Sequence, residues 1–208
     1  MINKIIKQIE RTDLNKIEQY LHYVFGSNTG RTLFFTFSLK LEELYKVSEF
    51  EDRQIANIAF KYILPVIAMH RSFVENGMDS TIAIKNIRSY FIEYDKKEIE
   101  KFASMINTPF YYSFFDRRIK KFQETKMPTE KFSIEWLEFN LQRVYFNVNK
   151  CMYLEILKEY GEEKLLQIFC DREKIKFSKI NSKIEFTVPK IILNGDECCQ
   201  FRYFKKNS

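Results

Sequence analysis

The hydrophobic period of the chain changes at Pro128, and that change restricts the fold more than any motif does. Before it, apolar residues recur at helical spacing; after it, they alternate over stretches of strand length. Ile2, Ile5, Ile6, Ile9, Leu14, Ile17, Leu21 and Val24 predict a helix over 2–24, ended by Gly26-Ser27-Asn28-Thr29-Gly30. The aromatic run from Leu33 to Phe37 fits strand or helix, and its continuation through Leu39, Leu41, Leu44 and Tyr45 favours helix. A strongly apolar helix follows over 52–75, kinked at Pro65 and stopped near Gly77. Asp79-Ser80 opens another through Ala83 and Ile87. Asp95 with Glu98 reads as a capping box for the next, which carries Ile99, Phe102, Met105 and Ile106. A basic helix runs from about Phe114 to Thr125, and Pro109 and Pro128 mark loops.

Beyond Pro128, Phe132, Ile134 and Trp136, then Phe139 and Leu141, alternate with polar residues, as do Val144, Phe146 and Val148. Residues 150–160 return to helix and stop at Gly161. Ile184, Phe186 and Val188 alternate again, Lys190 to Leu193 continue that strand, and Asn194-Gly195-Asp196 turns it into Phe201-Arg202-Tyr203-Phe204. The expected architecture is α+β in a single domain, 1–208, with a mainly helical part (1–127) packed on a small antiparallel sheet (128–208).

Composition narrows the function classes. A chain that is 45% hydrophobic and 16% aromatic buries a core and is not generally disordered. Five glycines and four prolines are too few for a many-stranded barrel. No apolar run approaches the roughly 18 residues that span a bilayer. The charged, amphipathic N-terminus lacks the apolar region of a secretion signal, so a cytoplasmic location with reduced thiols is expected. The net charge of +6 is spread over both halves, and the basic cluster Arg117-Arg118-Ile119-Lys120-Lys121 reads as a solvated helix face. Neither a nucleic-acid nor a membrane partner is expected. The abundant Tyr and Phe read as core filling, with an apolar ligand pocket as the alternative.

The standard phosphate-binding, dinucleotide-binding, nucleophile-elbow and zinc-protease motifs are absent. His22 and His70 lie on predicted helices with no carboxylate or cysteine nearby in sequence, which reads as surface or boundary histidine. Cys151, Cys170, Cys198 and Cys199 form no zinc-module spacing, so neither a metal nor a cofactor is expected. As free cysteines they fit small core hydrophobes. Their placement argues otherwise: all fall in the last third, at junctions read as strand to helix, helix to loop and turn to strand.

Three ordered segments resemble the L-2-amino-thiazoline-4-carboxylic acid hydrolase family. Phe146-Asn147-Val148-Asn149-Lys150-Cys151-Met152-Tyr153-Leu154-Glu155 is similar to its strand-into-helix segment. Gly161, Leu165-Leu166 and Cys170-Asp171-Arg172-Glu173 resemble its helix ending in a cysteine followed by an acid. Gly195-Asp196-Glu197-Cys198-Cys199-Gln200-Phe201-Arg202-Tyr203 resembles its terminal hairpin, with Gln200 where the family usually has Asp and Glu173 where Asp is more frequent.

The resemblance implies hydrolysis of a small cyclic amidine, a thiazoline or a related C–N bond. Ring opening needs a nucleophile at the carbon bonded to ring sulfur, ring nitrogen and the exocyclic amine. Cys199 and Cys151 are then candidate nucleophiles, with Cys170 beside them. Asp171 and Glu173 are candidate bases, Arg202 a candidate clamp for the substrate carboxylate, and Asn147 and Asn149 candidate substrate contacts. Arg202 also fits a solvated strand residue. Between the adjacent cysteines, Cys199 is expected to be the functional one and Cys198 the structural one. A nucleophilic Cys199 needs its pKa lowered, and Lys190 on the partner strand is a candidate cation. The alternatives are a non-catalytic small-molecule-binding module and a thiol- or metal-sensing regulator.

Overall fold

The computed structural model describes residues 12–106, 108, 115–127, 129–178 and 184–206. The chain divides into two compact units. Unit 1 comprises 1–94 with 156–168, and unit 2 comprises 95–155 with 169–208. The boundaries fall inside helices.

Unit 1 is helical. Helix α1, Thr12–Val47, breaks its backbone at Gly26 (φ 78°, ψ 167°), a conformation open essentially to glycine alone, and then resumes. The predicted stop is therefore a kink of one residue. Gly30 serves a different purpose: a Cβ there would meet the His22 Cα and the Leu21 carbonyl oxygen at 2.7 Å, so its missing side chain lets the two arms of α1 touch. Helix α2 (Arg53–Ile58) begins at Asp52, whose carboxylate accepts from the Gln54 and Ile55 N–H groups. The expected kink at Pro65 is absorbed as one π-turn, Ala59–Ile63, before α3 (Leu64–Glu75). Helix α3 packs along α1, with the Ser72 hydroxyl donating to Leu33 O (2.8 Å) and Lys40 paired to Glu75 (2.8 Å). Helix α4, Ser80–Ile106, follows.

Unit 2 holds a four-stranded antiparallel sheet of order β1-β2-β4-β3, with β1 Ile134–Phe139, β2 Arg143–Val148, β3 Ile184–Thr187 and β4 Cys199–Lys205. Helix α5 (Phe115–Lys126) and the turn α6 (Thr129–Phe132) precede the sheet, while α7 (Met152–Glu159) and α8 (Leu166–Ser178) lie between β2 and β3 in the chain. One sheet face is buried: Val144, Phe146 and Val148 of β2 stand opposite Tyr203, Phe201 and Cys199 of β4. Phe146 stacks on Phe201 (4.9 Å, 6°) and meets Trp136 at 4.8 Å, and the buried Tyr203 hydroxyl accepts from Gln123 Nε2 (2.7 Å). The α+β expectation is met, with mainly helical chain before residue 128 and the sheet after it.

Several local expectations are corrected. Asp95 does not cap a new helix; α4 runs through it without a break, because no glycine or proline stops it and the Asp95 carboxylate takes both Nε and Nη2 of Arg172 at 2.8 Å. The alternation of β1 shifts phase because of a bulge between Trp136 and Glu138. Leu141 is not strand: Asn140 accepts from the N–H groups of Gln142 and Arg143 and makes a turn. The strand ending at Thr187 does not continue over 190–193, where Pro189 supplies no donor and Ile192–Asn194 form a 3₁₀ turn closed by left-handed Gly195. Ile2 to Ile9, Pro109 and Pro128 lie outside the described residues. Among those described, no helix is long and apolar enough to cross a membrane.

Candidate functional site

The thiol site is built from three segments of unit 2. Cys199 opens β4 opposite Val148, the last residue of β2, and Cys151 follows three residues later at the start of α7. The Leu154 and Tyr153 N–H groups of that first helical turn point at the Cys151 sulfur. Cys170 lies within α8 and not at its end, which corrects the helix-to-loop placement, since the helix runs on to Ser178. The three thiols lie within electrostatic reach of one another. They are all half-buried.

Sheet alternation decides which residues share this site. Cys199 has the parity of the buried Phe201 and Tyr203, whereas Cys198, Gln200 and Arg202 have the opposite parity. The cysteine on the core side is thus Cys199 and not Cys198. Arg202 stands with Asn147: its Nη2 donates to Asn147 Oδ1 (2.9 Å), and its Nη1 donates to the Phe146 and Phe201 carbonyls (2.9 and 3.0 Å). Its guanidinium covers the Tyr145 ring at 5.4 Å. The proposed clamp and the proposed nucleophile therefore sit on opposite faces of the sheet. Asn149 is exposed past the end of β2, where its N–H donates to Ser133 O (3.2 Å).

Asp171 and Glu173 follow Cys170 on α8, both half-buried. Asp171 acts on the Cys170 thiol, and Glu173 acts on Tyr203 and Arg172. Burial dominates the thiols. It pushes Cys151 up to about 11 and Cys170 up to about 12, and it raises Cys199 as well. At Cys199 two influences oppose burial: the Ile192 N–H donated to sulfur at 3.3 Å, and the Lys174 ammonium. The lowering cation is Lys174 of α8 and not Lys190, which is exposed and gives its carbonyl to the Gln200 N–H (3.0 Å).

Thiolate is the species that alkylates, and below its pKa its fraction rises tenfold per pH unit. Iodoacetamide labelling of Cys151 and Cys170, followed by mass spectrometry at pH 7, 8 and 9, is therefore expected to accelerate about tenfold per unit throughout. A plateau below pH 8.5 would contradict the burial argument.

Among the described residues, no group of three or more His, Cys, Asp and Glu side chains is placed to hold a metal ion. In unit 1 a cavity of about 360 Å³ is lined by Tyr45, Tyr62, Tyr90, Tyr94 and Phe91, so part of the aromatic excess faces a hollow as well as filling core. His70, read from sequence as a surface or boundary histidine, is 3% exposed and touches Glu162. Nothing in the linear spacing signals that contact.

A model of the L-2-amino-thiazoline-4-carboxylic acid hydrolase family matches residues 56–203 of the 208, a span that contains all four cysteines. No curated protein and no solved structure matches the chain.

Proposed function

Because the chain belongs to the L-2-amino-thiazoline-4-carboxylic acid hydrolase family, we infer that it hydrolyses a small cyclic amidine at a non-peptide bond. The observation that carries this reading is the convergence of Cys151, Cys170 and Cys199 from three segments within the matched span.

Cys199 is the proposed nucleophile, since its sulfur receives a backbone N–H and feels the Lys174 charge. Its proton passes to a carboxylate of α8, Asp171 or Glu173. The sulfur then adds to the amidine carbon, and the ring C–S bond breaks to give a free substrate thiol and an isothiourea held on Cys199. Water attacks the same carbon, expels the Cys199 thiol and leaves a carbamoyl group on the substrate nitrogen. One water is consumed. Burial of Cys199 raises the barrier to forming the thiolate, which places the best rates at alkaline pH.

The test uses the thiol that ring opening releases. With 2-aminothiazoline-4-carboxylate as substrate, thiol titration is expected to show turnover by the native chain and by Cys198→Ala. Cys199→Ala is expected to lose at least a hundredfold, within the range that removing a catalytic nucleophile costs. Full activity in Cys199→Ala overturns the assignment.

The raised pKa of all three thiols favours a second reading, a non-catalytic module that binds the same class of small molecule. Thermal stabilisation by the substrate without thiol release would select it.

A further inference from the structure

We propose that Ser80, His70 and Glu162 form a second hydrolytic centre, in which Ser80 accepts acyl groups from small activated carboxylic esters. It does not depend on the thiol reading, since each of its residues lies in unit 1.

His70 stands on α3 and Ser80 in the first turn of α4, with the turn at Gly77 between them. Ser80 Oγ lies 2.9 Å from His70 Nε2. Across the ring, Nδ1 approaches Glu162 Oε2 to 3.0 Å. This second contact is an ion-pair approach, with the carboxylate oxygen off the line of the ring N–H. Catalytic contacts of this kind commonly tighten when substrate binds. The imidazole and carboxylate are 3% and 8% exposed, whereas Ser80 is half-buried, so the base is sheltered while the hydroxyl stays reachable.

Glu162 is itself held in place. Arg71 donates from Nε to its Oε1 (3.2 Å) and from Nη2 to Tyr160 O (2.9 Å), and Lys164 lies 4.0 Å from Oε2. Burial pushes this carboxyl up, but His70, Arg71 and Lys164 outweigh it and hold the group below the usual carboxylate range. An ionised carboxylate beside Nδ1 favours the tautomer that keeps its proton there. Nε2 is then the acceptor for the Ser80 hydroxyl, which is the arrangement that activates a serine.

The chemistry balances with water as the only co-reactant. Ser80 Oγ adds to the ester carbonyl carbon while its proton moves to His70 Nε2. The C–O bond to the leaving alcohol breaks, and the alcohol takes that proton. Water then adds to the acyl-Ser80 carbonyl with His70 as base, releasing the carboxylic acid and restoring the hydroxyl. Asp79 shapes the kinetics: its carboxylate already accepts from the Thr81 and Ile82 N–H groups (2.8 and 3.2 Å), so those donors do not stabilise an oxyanion. Acylation followed by slow turnover is the expected behaviour.

The native chain is treated with a fluorophosphonate and, separately, with p-nitrophenyl acetate. A single phosphonyl adduct mapped to Ser80 and a stoichiometric p-nitrophenol burst are expected, and both fall to background in Ser80→Ala and His70→Gln. Glu162 is a positioning residue. Among the described residues, the charged groups set around the imidazole are Glu162, Arg71 and Lys164 bound to it, and Asp79 next to Ser80. In Glu162→Gln the burst rate is expected to fall at least tenfold with the Ser80 adduct site unchanged, and Glu162→Asp is expected to restore part of it, because a carboxylate again stands beside Nδ1; a purely structural role gives no such rescue by the conservative variant. No adduct on the native chain, an adduct mapped to a cysteine, or a burst that survives in Ser80→Ala overturns the proposal.

Discussion

Replacing Phe146 by alanine is expected to cost about 3–5 kcal/mol of stability, the range for truncating a buried aromatic ring. The ring is fully buried in the middle of β2, stacked on Phe201 and flanked by Trp136 and Tyr203 at 4.8 and 6.2 Å. Those neighbours belong to strands on both sides, held by ladder hydrogen bonds, so they cannot collapse into the space that the ring leaves. Part of the loss is the transfer free energy of the ring; the rest is the unfilled cavity and the lost stacking. Urea titration followed by far-ultraviolet circular dichroism measures it. A loss below about 1 kcal/mol would mean that the sheet repacks freely, contrary to the close ring contacts.

Gly30→Ala is expected to cost about 3 kcal/mol or more, at the upper end for forced overpacking. Alanine ordinarily stabilises a helix relative to glycine by roughly 1 kcal/mol, so the expected sign runs against helix propensity. The reason is the 2.7 Å approach to His22 Cα and Leu21 O, which are backbone atoms and cannot rotate aside. Gly26→Ala makes the comparison. Nothing lies within 4 Å of its added Cβ, and its cost of about 1–3 kcal/mol comes from the strained backbone alone. Thermal denaturation of both variants distinguishes contact from strain, and a stabilised Gly30→Ala would refute the close crossing.

The parts of the fold visible in sequence were those written in local periodicity. The alternations at Val144, Phe146 and Val148 and at Phe201 and Tyr203 mark two strands, which the structure pairs, because an antiparallel sheet buried on one face must place apolar side chains at every second position. The capping Asp79 was legible for the same reason, being a local hydrogen-bond pattern. Asp95 was misread because its partner, Arg172, lies 77 positions away, and a carboxylate in mid-helix has the same local signature as one at a cap. The cysteines could be grouped from their order along the chain. The side of the sheet on which each one lies depends on strand register, which put Arg202 and Cys199 on opposite faces. Ser80, His70 and Glu162 left no trace, since contacts made by tertiary folding between separate helices follow no fixed spacing.

Trp136 on β1 carries a consequence for following this molecule by light. It is the single indole among twelve tyrosines, and it lies in unit 2 against Phe146, with the Lys120 ammonium 5.5 Å from its ring. Excited at wavelengths that phenols do not absorb, the chain emits from this one place. The emission wavelength therefore tracks how wet the β1–β2 ribbon is. A label-free titration at the Cys151, Cys170 and Cys199 group thus has its fluorophore built into the same unit.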